Sequence, residues 1–139
     1  MKNVLVLCTG NSCRSQMAHG YLEKLQNGLA HIYSAGIEAH GLNSGAVSIM
    51  AEDGLDISNH TSNNLNEYFD VHFDYIITVC DQVKENCPYI PSKKAERFHH
   101  NFIDPSKVKG TEEEKHEAFQ KVRNEIKEYC QKFILRELS

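Results

Sequence analysis

The chain has 139 residues, a formal net charge of −4 and no basic block, so composition gives no support for nucleic-acid or membrane-surface binding. Its length suits one domain with a sizeable core, and no apolar stretch approaches the ~20 residues that a bilayer span needs. The apolar N-terminal run of about six residues flows straight into a polar loop, unlike a secretory signal, and places the chain in the cytosol.

Val4-Leu5-Val6-Leu7 reads as a buried strand over about residues 3–8, and Thr9-Gly10-Asn11-Ser12 is turn chemistry. Met17, Ala18, Tyr21, Leu22 and Leu25 recur at spacings of three and four and predict a helix over about 15–27. His31-Ile32-Tyr33-Ser34 is a second short strand. Asn43 caps a helix with apolar Ala46, Val47 and Met50, closed by Gly54. Tyr75 to Cys80 is the clearest strand, and 96–102 is a weaker one. Thr111 and Glu114 form a capping box ahead of a stripe of Phe119, Val122, Ile126, Tyr129, Phe133 and Ile134. Strands alternating with helices imply an α/β domain over 1–139 with a parallel sheet covered on both faces. Ligands of such sheets bind beyond the carboxyl ends of the strands, where Cys8 and Cys80 both fall.

A loop of small residues entering a helix turns backbone N–H groups inward, and the helix dipole adds positive charge there. Arg14 supplies a planar fork for two oxygens of a tetrahedral anion. A cysteine at the base of that cradle is expected as a thiolate, with Ser15 placed to donate to its sulfur. The chemistry implied is attack by Cys8 on the central atom of an oxyanion held by Thr9, Gly10, Asn11, Ser12, Cys13 and Arg14. The plainer alternative is a buried cysteine beside a surface arginine. Asp104, before a proline, is either an ordinary turn aspartate or a general acid.

Cys8-Thr9-Gly10-Asn11-Ser12-Cys13-Arg14-Ser15 resembles the phosphate loop of the low-molecular-weight protein tyrosine phosphatase superfamily. The likeness extends to Ser34-Ala35-Gly36, Ser58-Asn59-His60 and Asp104-Pro105, hence to most of the chain. Within the superfamily the sequence looks most like the bacterial thioredoxin-coupled arsenate reductases. Gln16-Met17-Ala18 follows the loop, and Thr78-Val79-Cys80 through Cys87-Pro88 matches their redox cysteine pair. The resemblance implies a four-stranded parallel sheet flanked by helices and arsenate or a phosphate-like oxyanion as ligand. It also implies Cys8, Arg14, Ser15, Cys80, Cys87 and Asp104 as the working residues, thioredoxin as reductant, no cofactor and a monomer.

The polar segment between Cys80 and Cys87, if helical, keeps the two sulfurs roughly 10 Å apart along the axis. A disulfide needs Cα atoms within about 7 Å, so a bridge there requires the segment to rearrange. A zinc site on Cys8, Cys13, Cys80 and Cys87 lacks the close ligand pairs that structural zinc uses, and no metal is expected. Cys13 is a competing thiol that resembles a protective partner in the phosphatases, and Cys130 sits on the apolar stripe as inert core. His40 resembles a position near the reductases' redox cysteines, from which it could steer Cys80; a surface loop histidine is the other reading. His19 and Asn63 stand where some members place acids that, with counterparts of Asn11 and Ser34, resemble a potassium site. Their loss argues against potassium dependence. Two rivals stay open: a phosphatase using Cys8, Arg14 and Asp104, and a non-enzymatic oxyanion-binding or redox-sensing module.

Overall fold

Strand β1 (Lys2–Leu7) forms where the sequence has no solvent side to offer: Val4, Leu5, Val6 and Leu7 are all fully buried. The computed structural model describes residues 1–10, 13–81 and 94–138. With β2 (Ala30–Ala35), β3 (Tyr75–Thr78) and β4 (Glu96–His99), β1 builds a four-stranded sheet in the order β2-β1-β3-β4, every pair parallel. The chain steps from β1 to one neighbour and then crosses back to the other. The strand order therefore reverses at β1, and the crevice of such a sheet lies at its C-terminal end. Leu7 stands opposite both Ala35 and Thr78, so the loop that follows it emerges between two neighbouring strand ends.

Alternation of side chains along β1 splits the core in two. Val4 and Val6 face α1 (Arg14–Leu25), α2 (Ser44–Glu52) and α3 (Glu112–Glu137), while Leu5 and Leu7 pack with Leu65, Phe73 and Ile76. Both faces are thus covered, but unequally. Among the described residues, three α-helices share one face, and the 3-10 turn Leu65–Tyr68 covers part of the other. On α1, a methyl group at Gly20 would stand 2.9 Å from both Ile57 Cγ2 and Met50 Cε, so the glycine sets how closely these elements approach.

The local signals appear at their expected places. Asn43 accepts from Ala46 N at 3.0 Å, and Thr111 and Glu114 complete a reciprocal capping box. The buried stripe of α3 holds Val122, Ile126, Cys130, Phe133 and Ile134, and it admits one cation. Arg123 lies buried because its Nη1 donates to the Ile49 carbonyl of α2 at 3.0 Å. The strands end sooner than the apolar runs suggest. Val79 N still donates to Leu7 O and His100 N to Thr78 O. Beyond them the chain turns into the crevice, so neither Cys80 nor Phe102 belongs to a strand. Among the described residues, no helix is long and apolar enough to cross a membrane.

Candidate active site

Cys8 is the first residue beyond β1, 3% exposed, with its N–H on the Ala35 carbonyl at 3.2 Å. The next two carbonyls are engaged by neighbouring segments. Thr9 O accepts from Glu38 N at 3.2 Å, and Gly10 O accepts from His40 N at 3.1 Å and Ser62 Oγ at 3.2 Å. An anion cradle needs this arrangement, because carbonyls held outward leave the N–H groups to line the concave side. Asn11 and Ser12, expected in the same loop, lie outside the described residues. From Cys13 the chain enters α1 through Arg14 and Ser15, both buried. The first turn of α1 carries no acid, so no carboxylate of its own offsets the dipole at that end.

Arg14 is 2% exposed, with Nη1 donating to the Phe102 carbonyl at 3.0 Å and Nη2 at 3.7 Å from Asp104 Oδ2. Asp104 caps the 3-10 turn Pro105–Lys107, its Oδ1 accepting from Ser106 N at 3.0 Å and Ser106 Oγ at 2.6 Å. One carboxylate oxygen is committed to the turn, and the other faces the guanidinium. Folding thus brings the expected acid to the expected anion-binding arginine, 90 positions apart in sequence.

Cys80 is fully buried just past β3, in the same core cluster as Cys8 and Cys13. Since Leu7 stands opposite Thr78 and Val79 N–H donates to Leu7 O, the two cysteines leave adjacent parallel strands close together. Cys80 is disulfide-bonded, whereas Cys8, Cys13 and Cys130 are not. Cys87 lies outside the described residues. Burial, with the nearby charges of Asp104 and Cys8, pushes the Cys13 thiol far above its ordinary range, and Arg14 opposes this only in part. That keeps Cys13 protonated and a poor nucleophile. Burial does the same to Cys130, whose Sγ lies 3.7 Å from the Ala18 carbonyl, in keeping with inert core.

Behind the loop stands a network that sequence reasoning did not foresee. The fully buried Gln16 donates through Nε2 to Thr61 O at 2.9 Å, and its Oε1 lies 3.0 Å from His60 Nδ1. His19 Nδ1 lies 2.8 Å from Ser34 Oγ, and the His19 and His60 rings are 4.6 Å apart. Burial, reinforced by His60, lowers the His19 pKa to about 4, so the ring is neutral at ordinary pH. Asn63 donates to Glu67 Oε1 at 3.0 Å and accepts from Thr61 Oγ1 at 2.8 Å. The positions that depart from the acidic pattern are thus occupied by hydrogen-bonded neutral groups. Gln16, Ser34 and His60 stand in stretches the sequence singles out, but nothing in the sequence marks them as partners of one another. A backbone acceptor such as Phe102 O leaves no signal at all.

A family model described as low molecular weight phosphotyrosine protein phosphatase matches residues 3–139. An arsenate reductase of Bacillus licheniformis is 48% identical over 132 residues, covering 95% of this chain and 94% of that protein. An arsenate reductase of Bacillus subtilis is 47% identical over 125 residues, covering 90% and 89%. A solved structure described as an arsenate reductase in the phosphate binding state superposes with a TM-score of 0.81 at 29% identity, covering 100% of both chains.

Proposed function

The chain belongs to the low molecular weight phosphotyrosine protein phosphatase family, and we propose that it is an arsenate reductase recycled by thioredoxin. The observation that carries this reading is Cys80. It is a second cysteine buried beside Cys8 at the neighbouring strand end, and it is itself in a disulfide. Phosphoester hydrolysis has no use for it. The relatives named arsenate reductase, matched over nearly the whole chain, support the same choice.

Arsenate lies in the loop, held by backbone N–H groups and by the fork of Arg14. The Cys8 thiolate attacks arsenic, and Asp104 protonates the departing oxygen, which leaves as water. The pairing of Asp104 Oδ2 with Arg14 supports that role, because it seats the acid beside the anion-binding group. The Cys80 thiolate then attacks the Cys8 sulfur. The sulfur–arsenic bond breaks with its electron pair going to arsenic, so arsenite leaves and the two thiols are oxidised to a Cys8–Cys80 disulfide. Cys87 attacks Cys80 and frees Cys8, and the dithiol of thioredoxin reduces the Cys80–Cys87 bridge, becoming a disulfide itself. A bridged Cys80 beside a thiol at Cys8 fits the stage after Cys8 has been released. Such a cycle suits the cytosol, where thiols are kept reduced.

The test is arsenate turnover with thioredoxin, followed by thiol oxidation, beside hydrolysis of a phosphotyrosine analogue by the same preparation. Sustained arsenite release with weak hydrolysis is expected. Efficient hydrolysis with no thioredoxin oxidation would return the chain to the phosphatases.

A further inference from the structure

Gly10 raises a question that the anion cradle leaves open. Its φ lies outside the left-handed region populated by Gly28, Gly41, Gly54 and Gly110, so backbone conformation does not require a glycine there. Space does. A methyl group at Gly10 would stand 3.0 Å from both Cγ and Cε1 of the His40 ring and closer still to Nδ1. Three features fix that ring. The His40 backbone N–H donates to Gly10 O at 3.1 Å, and Glu38 N–H donates to Thr9 O at 3.2 Å. On its far side, Nε2 of the ring is paired with the Glu38 carboxylate.

We propose that His40, tethered by Glu38, is a positioning residue for the oxyanion loop, its ring packed on the α-carbon of Gly10 so that the loop stays in its anion-binding shape. The physical argument is preorganisation. A loop that binds a tetrahedral anion through backbone N–H groups gains affinity only if those groups already point inward. The carbonyls of Thr9 and Gly10 are the levers that set their orientation, and residues 38–40 hold both. The ring adds what the backbone bonds lack, a wall against which Gly10 cannot swing outward. Ser62 Oγ, on the same carbonyl at 3.2 Å, contributes a second anchor from the 60–64 segment. Glycine at 10 is then the complement of histidine at 40, and each should matter only while the other is present.

This inference rests on the oxyanion-loop reading, and the experiment separates the two. Sulfate affinity of the reduced full chain is measured by calorimetry for wild type, His40→Ala, Gly10→Ala and the double variant, with melting curves to verify folding. His40→Ala keeps its backbone N–H and loses only the ring, and about tenfold weaker sulfate binding is expected. Gly10→Ala displaces the ring and should lose a similar factor. The double variant should also lose about tenfold rather than about a hundredfold, because the two changes remove one contact. Glu38→Gln, which slackens the tether, should lose about threefold. Wild-type affinity in either single variant, or losses that multiply in the double, overturns the proposal. A wild-type chain that binds no sulfate overturns the oxyanion loop itself.

Discussion

Replacing His19 with glutamine gives a sharp test of the network behind the loop. The imidazole is largely buried between Ser34 and His60, and its pKa falls from 6.5 to about 4, first through desolvation and then through the charge of His60. The unfolded chain therefore takes up a proton near pH 6.5, which the folded chain refuses until about pH 4. Stability from this group is fully present above the unfolded value and drains away as pH falls towards the folded one. At ~1.4 kcal/mol per pH unit, the loss integrates to about 3 kcal/mol. His60 is lowered too, mainly by burial, with Glu23 and Asp56 opposing, so it adds to the same limb. Glutamine at 19 can still bond Ser34 but cannot take the proton. Urea unfolding of wild type and His19→Gln, from about pH 8 to about pH 4.5, should give curves within about 1 kcal/mol at the alkaline end. On the acid side they should diverge, the variant losing about 2–3 kcal/mol less. Parallel curves throughout would refute a neutral, desolvated histidine here.

Arg14→Lys keeps the charge but cannot reach the Phe102 carbonyl and face Asp104 while also gripping two anion oxygens. Its kcat/KM for arsenate should fall about a hundredfold. Cys87→Ser, supplied with thioredoxin, should release about one equivalent of arsenite and stop, with a Cys8–Cys80 bridge visible by mass spectrometry; multiple turnover would remove Cys87 from the cycle. The Asp53 carboxyl is held below the usual range, first by the Tyr21 hydroxyl at 2.7 Å and then by Lys127 at 3.0 Å. Its contribution is present above the ordinary carboxylate value and lost as pH falls through the lowered one. Asp53→Asn should therefore cost about 1 kcal/mol at neutral pH, after allowance for solvent screening, and flatten the acid limb in chemical unfolding.

The sequence alone determined whatever depends on neighbours within a few positions. The Asn43 cap, the Thr111–Glu114 box and the β-branched strand runs are satisfied within one turn or one strand, so their residues announce them. The loop of 8–15 was legible for the same reason, since small residues, an arginine and a helix start stand in one stretch. Pairing across the chain was decided only by the tertiary structure. That Cys8 and Cys80 follow the ends of adjacent strands comes from β3 pairing with the open edge of β1, which is marked at no single residue. That Arg14 meets a backbone carbonyl and Asp104 depends on where the chain turns after β4. The stretch 96–102 suggests one weak strand, but β4 ends at His99, and the Phe102 carbonyl beyond it accepts from the buried guanidinium of Arg14. His19 on Ser34, and His40 against Gly10, are of the same kind. Each joins residues far apart in the chain, and a polar side chain takes its partner from whatever folding brings within reach.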